Sequence, residues 1–216
     1  MRSAEARLEH HFDSFEQQKE SSYFGMWLFL AQEIMFFGGL FTAYVVYRSS
    51  HAEAFAAGSH ELDIQLGAIN TAVLIASSLT MALAVWSAQT ERRKQLIGFL
   101  IATIVFGSVF LGIKTIEYGH KWHEHHVPGP SFVWEGENPE QVEMFFNLYF
   151  AMTGLHALHM VIGIGLLGWV ILRASRGAYS RENHNFVEGL GLYWHFVDIV
   201  WIFLFPLLYL LGRNYV

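Results

Sequence analysis

Glu33 is the only acidic or basic residue between Tyr23 and Tyr47, in the stretch YFGMWLFLAQEIMFFGGLFTAYVVY. At 1.5 Å of rise per residue it lies roughly 15 Å from Tyr23, near the middle of a hydrocarbon layer about 30 Å thick. A carboxyl at that depth stays neutral, pairs with another helix, or takes part in moving protons or ions. Two further groups have matching character. His156 and His159 are three residues apart in a second apolar stretch, and His195 and Asp198 are three apart in a third, so each pair shares a helix face. His195 and Asp198 sit roughly 14 and 18 Å into their own stretch by the same rise. An acid beside a buried imidazole can share a proton or form an ion pair, which offsets the desolvation of either alone. The depths predict a buried polar cluster of Glu33, His156, His159, His195 and Asp198, with His159 the first partner of Glu33 and His195 the second. The same residue types also serve as plain hydrogen bonds between helices, and the sequence leaves both roles open.

A second spacing suggests metal chemistry. HKWHEHH places His120, His123, His125 and His126 together, and HALH adds His156 and His159, a pattern with some likeness to membrane di-iron sites, where several imidazoles converge. Convergence fails on depth. The first cluster reads as part of an external loop, while His156 and His159 lie about 15 Å or more inside the membrane. No metal site is expected, and the loop histidines read as a solvated, partner-facing surface. Asn70, Thr71, Ser77, Ser78 and Thr80 read as interhelical hydrogen-bonding residues.

The elements that must position these groups are membrane helices. The 216 residues are 53% hydrophobic and only 15% charged, too apolar for an ordinary soluble domain. The reading is all-α: a single polytopic five-helix membrane bundle with spans at about 23–47, 66–88, 96–118, 142–172 and 186–211. The 1–22 lead is polar, lacks the apolar core of a cleaved leader and is read as mature protein. HAEAFAAGSHELDIQ is read as a short exposed loop. Zero cysteines exclude disulfides, thiolate metal sites and haem attached through cysteine, and a net charge of -6 without a basic stripe gives no nucleic-acid signal.

Nine of the thirteen lysines and arginines fall on one side: Arg2, Arg7, Lys19, Arg92, Arg93, Lys94, Arg173, Arg176 and Arg181. The positive-inside rule then puts the N-terminus in the cytoplasm and the C-terminus in the periplasm. Trp27, Trp86, Trp122 and Trp169 fall near span ends, as an aromatic belt would. Gly38, Gly39, Gly107, Gly112 and Gly163 are candidates for close helix contact, either with a partner or within the bundle.

Five segments in order, MWLFLAQEIMFFGGLF at 26–41, NTAVLIASSLT at 70–80, FLGIKTIEY at 110–118, GLHALHMVIG at 154–163 and YWHFVDIVWIFLF at 193–205, resemble the successive signatures of subunit III of haem-copper terminal oxidases. They cover nearly all of the membrane-spanning chain. The resemblance implies an accessory subunit with no redox cofactor of its own, seated beside the catalytic subunit of a proton-pumping oxidase whose haem and copper lie in partner chains. It implies that Glu33 is the family's carbodiimide-reactive buried carboxyl, and that Arg173, fourteen residues after His159, contacts a phospholipid headgroup. Expected partners are oxidase subunits I and II, phospholipids, and cytochrome c as electron donor, in a bacterial cytoplasmic (inner) membrane. Longer family members have seven helices with a lipid cleft, and this chain shows five. The cytochrome c branch is favoured by AQEIMFF and FLGIKTIEYGHKWHEHH, with a quinol oxidase subunit III, or the related chain that accompanies nitric oxide reductase, as the alternative. The residues themselves show no nucleophile and base in a cleft and no glycine-rich loop opening a helix, so no catalytic residue is expected in this chain.

Overall fold

The computed structural model describes residues 13–177, 179 and 184–212. The first part of the polar lead, and with it Arg2, Arg7, Arg181 and Arg213, lies outside them. Five helices are long and apolar enough to cross a membrane, and no strand occurs among the described residues.

Helix α1 (Phe15–Ser50) begins at Ser14, whose side chain accepts from the Gln17 amide, so it starts before the 23–47 span and runs past it. Its 36 residues cover about 54 Å, more than a bilayer needs. Helix α2 (Ala52–His60) occupies the segment read as an exposed loop, and that expectation is wrong. Phe55 is buried against Tyr44 and Phe145, with ring centres 5.3 and 5.6 Å away, and the Ser59 hydroxyl donates to the Leu208 carbonyl at 2.7 Å. Gly58 is required there, because a β-carbon would fall 2.4 Å from the Phe145 ring. The nine residues are too few to show in hydropathy, yet Ala54, Phe55, Gly58 and Ser59 form one helical face.

Helix α3 (Ile64–Gln89) is capped by Asp63, which accepts from the Gln65 and Leu66 amides at 2.8 and 3.2 Å. A turn through Glu91, held at φ 59°, leads directly into α4 (Arg93–His123), so α3 and α4 form an antiparallel hairpin. Helix α4 extends beyond its expected end at 118, and His120 and His123 lie in its last turns instead of in a loop. Pro139 occupies the first turn of α5 (Pro139–Ser175), where its missing N–H costs nothing. Helix α6 (Asn185–Phe205) ends at Pro206, and a π-helical turn, Pro206–Leu210, completes the last span.

The core is aromatic. Trp194 and Trp201 of α6 are fully buried, and Trp201 meets Phe110 of α4 edge-on with ring centres 4.8 Å apart. Helix α6 lies at the centre, against α1, α3 and α5, while α1 packs on α6, α5 and α2. Outward faces stay apolar, with Met35, Val105, Val161 and Phe203 more than half exposed, as a hydrocarbon solvent requires.

Candidate functional site

Helices α1 and α5 bring Glu33 and His159 together. Glu33 Oε2 lies 3.3 Å from His159 Nε2, at ion-pair distance but without hydrogen-bond alignment. His159 Nδ1 is 2.9 Å from the Leu155 carbonyl, one turn back in α5. A carbonyl only accepts, so Nδ1 carries a proton and Nε2 presents its lone pair to Glu33 when the ring is neutral. Such a pair is able to hold one proton between its members, on the carboxyl or on Nε2. Tyr193 of α6 donates to the His159 carbonyl at 2.9 Å, joining the third helix to the pair.

This pair lines a groove of about 750 Å³ between α1, α5 and α6 that also presents Tyr23, Met26, Phe29 and Tyr193. At its end toward the N-terminus, the Glu188 carboxylate gathers three donors: the Tyr23 hydroxyl, the Gln89 amide at 2.6 Å and His184 Nε2 at 3.1 Å. Glu188 therefore ties α1 and α3 to the start of α6.

The five expected residues do not form one cluster. His195 and Asp198 face α3 instead of the groove, with His195 Nδ1 2.7 Å from the Ser78 hydroxyl. A helix of 3.6 residues per turn separates Tyr193 from His195 by about 200°, so one faces the groove and the other faces away. His156 stands apart again, wholly buried between the rings of Phe110 and Trp201, both with centres 5.3 Å away, and it makes no hydrogen bond among the described residues. Equal depth was a sound guide to Glu33 and His159, but it carries no information about azimuth.

The polar node with the most contacts was missed. Near the far end of α4, Lys114 Nζ is 3.2 Å from Glu117 and donates to Tyr149 and Tyr209 at 2.9 and 3.0 Å. Both phenols donate to Glu117 Oε1, at 2.7 and 2.5 Å. Each member is at least 97% buried. The (i, i+3) spacing of Lys114 and Glu117 was a usable signal, but Tyr149 and Tyr209 are distant in sequence. The node satisfies both charges and joins α4, α5 and the π-helical turn, which is a structural task.

Beyond it, donor atoms of Glu61, Glu124 and His126 lie within 4.8 Å of one another. The Lys121 ammonium is already among them, 2.5 Å from Glu124 and 3.9 Å from Glu61, and supplies the positive charge a cation would bring. Burial would raise the Glu124 pKa, but the Lys121 hydrogen bond and charge outweigh it and the carboxyl titrates below its ordinary value. Burial against Phe146 and the Lys121 charge both lower the His126 pKa. Arg173 ends α5 exposed, its guanidinium 4.9 Å above the Trp169 ring, with the charge free to meet an anion.

Ser77, Thr71, Thr80 and, through His195, Ser78 hydrogen-bond between helices as expected, and Asn70 does not. Ser77 accepts from Trp194 at 2.9 Å, Thr71 from Trp201 at 3.1 Å, and Thr80 meets Thr103 at 2.8 Å, while Asn70 is buried with no hydrogen bond among the described residues. Gly107 and Gly163 pack against Trp194 inside the bundle, whereas Gly38, Gly39 and Gly112 have open space on their free sides.

The family model described as cytochrome c oxidase subunit III matches residues 4–213. The chain is 36% identical over 189 residues to cytochrome c oxidase subunit 3 of Synechocystis, covering 87% of this chain and 75% of that one. It is 34% identical over 193 residues to cytochrome c oxidase subunit 3 of Thermostichus vulcanus, covering 88% and 87%. It is 31% identical over 206 residues to the cytochrome bo(3) ubiquinol oxidase subunit 3 of Pseudomonas aeruginosa, covering 94% and 91%.

Proposed function

The chain belongs to the cytochrome c oxidase subunit III family, the third subunits of haem-copper oxidases, and from that premise we propose that it serves a proton-pumping cytochrome c oxidase of aerobic respiration. It is a multi-pass membrane protein, and the membrane is proposed to be the bacterial cytoplasmic one, with the N-terminus inside as the nine clustered cations favour. The observation that carries the cytochrome c assignment is the greater identity to two cytochrome c oxidase subunits, 36% and 34%, than to the quinol oxidase subunit at 31%. The quinol alternative is favoured by one feature, the fuller alignment of 94% and 91% with the ubiquinol oxidase subunit.

The role proposed is accessory. Glu33 and His159 set an acid and an imidazole 3.3 Å apart inside the first and fourth spans, and the groove beside them suits lipid chains, so the bundle can influence the proton supply and lipid surroundings of its neighbour. Arg173 is proposed to bind a phospholipid phosphate at the interface, where a guanidinium makes charge-assisted, bidentate contacts. Haem and copper are assigned to oxidase subunits I and II.

Purification of this chain from its native membrane tests the reading. Haem-bearing subunits copurify, the complex oxidises reduced cytochrome c, and the chain stripped from it retains neither haem nor copper. Oxidation of quinol but not cytochrome c would transfer the chain to the alternative. Isolation without any haem protein would overturn the assignment.

A further inference from the structure

Helix α1 is held in different ways on the two sides of Gly38 and Gly39. Toward Ser50 it is anchored. Tyr44 is wholly buried against Phe55 and Phe145 and donates to the Leu207 carbonyl at 3.0 Å, and Arg48 donates to the Leu211 carbonyl at 2.6 Å. Toward Phe15 the helix is a wall. Every α1 residue that lines the 750 Å³ groove, namely Gln18, Ser22, Tyr23, Met26, Phe29 and Glu33, comes before Gly38. Among the described residues of this half, only Leu30, Glu33 and Phe37 are buried, and α1 is the least buried of the five spans.

The polar ties of the wall are few. At mid-helix Glu33 approaches His159 at 3.3 Å without hydrogen-bond alignment. At the interfacial end the Tyr23 hydroxyl donates to Glu188, which Gln89 and His184 hold in place from α3 and the start of α6. Tyr23 is the α1 member of that node, and it lies where water can replace the bond it gives up.

The two glycines separate the halves. Each weakens a helix relative to alanine, and a glycine inside a helix often marks a place where a neighbour passes too close for a β-carbon. Here no atom of the chain lies within 4 Å of where either β-carbon would stand. Packing within the bundle does not account for them. The Thr42 hydroxyl also donates to the Gly38 carbonyl at 2.8 Å, a back-bond of the kind that bends helices. Paired small residues and such a bond mark where a helix without proline flexes.

We propose that the Phe15–Phe37 half of α1 is a movable wall that pivots at Gly38 and Gly39 on the anchored outer half, is latched by Tyr23 on Glu188, and swings out to pass a lipid chain between bilayer and groove. That the passenger is a lipid chain rests on the reading of the groove given above; the pivot and the latch do not.

Pulsed electron paramagnetic resonance on the oxidase complex in nanodiscs tests it, since the chain has no cysteine of its own to confuse spin labelling. One labelled pair, Phe24→Cys with Leu172→Cys, spans the wall and α5; the other, Val46→Cys with Ile116→Cys, spans the anchored half and α4, all at exposed positions. The 24–172 pair is expected to show a second, longer distance that gains population with Tyr23→Phe and loses it with Gly38→Ala and Gly39→Ala together. The 46–116 pair stays unchanged throughout. A single 24–172 distance in both wild type and Tyr23→Phe, or equal broadening of both pairs, overturns the moving wall. Loss of the haem-bearing subunit from the double glycine variant assigns the glycines to a partner contact and overturns the pivot. Exchange of deuterated phospholipid, followed by native mass spectrometry, is expected to slow several-fold in that variant. Unchanged exchange alongside the expected distances strikes the lipid reading of the groove and leaves the pivot supported.

Discussion

The indole of Trp194 occupies the space that a side chain at Gly163 would need: a β-carbon there would stand 2.8 Å from the ring. Gly107, on α4, faces the same ring at 3.1 Å. Two glycines on different helices thus form the slot for one tryptophan, whose N–H is secured by Ser77 on a third. Gly163→Ala is expected to destabilise the bundle by about 1–3 kcal/mol, the usual result of overpacking a filled core. Gly38→Ala, with nothing within 4 Å, is expected to leave thermal stability of the detergent-solubilised chain unchanged or slightly raised. A Gly163→Ala protein melting like wild type would show that Trp194 can move aside.

Glu33 and His159 should behave as one proton-sharing unit. Glu33→Gln retains size and hydrogen-bonding capacity and is expected to change stability little. Glu33→Ala should cost about 1–3 kcal/mol by leaving His159 Nε2 without a polar neighbour. In a double-mutant cycle with His159→Leu the two losses should be less than additive. Strict additivity would mean that the 3.3 Å approach carries no interaction energy.

The Lys114–Glu117 node predicts a sharper asymmetry. Lys114→Met leaves a buried carboxylate with two phenols and no cation, a change expected to cost about 3–5 kcal/mol. Adding Glu117→Leu removes the orphaned charge and should recover part of that loss. Denaturant titration of both variants decides it, and a double variant less stable than Lys114→Met alone would contradict the account.

How much of this could be read beforehand differs by feature. The spans were legible because hydropathy over some twenty residues is a property of sequence alone. The Glu33–His159 contact was legible because depth follows from residue count. Helix α2 was not, since nine residues with Phe55 as the one large apolar side chain resemble a loop until Phe145 is seen to bury that ring. Nor was the Lys114 node, whose meaning comes from Tyr149 and Tyr209 at 35 and 95 residues' distance. The division of the five polar residues among three places was hidden for the same reason: rotation about the helix axis is decided by packing.

The segment after α4 should loosen with acid. His126 titrates below its ordinary 6.5, so its packed form is the neutral ring. That contribution to stability is complete above about 6.5 and falls as pH drops toward the depressed value. Glu124 also titrates low, and its contribution is present above the ordinary 4.5 and lost as pH falls through its folded value. Both act in the same direction. Amide exchange of Phe132 and Val133, bonded to Gly129 and His125, should therefore rise as pH falls from 7 toward 5 after correction for intrinsic rates. A flat profile, or loosening on the alkaline side, would refute the sign.

The packing of α1 also bears on the order in which the protein is made. This helix leaves the ribosome before the other four spans, yet the helices it rests on, α5 and α6, emerge last. During synthesis Glu33 must wait in the bilayer without His159, kept neutral, at the interface, or in the care of an insertion factor. Helix α1 therefore cannot take its place against α5 and α6 until both have been made. A chain arrested before Pro139 would hold an α3–α4 hairpin with its contacts made and an α1 without α5 and α6 to rest on.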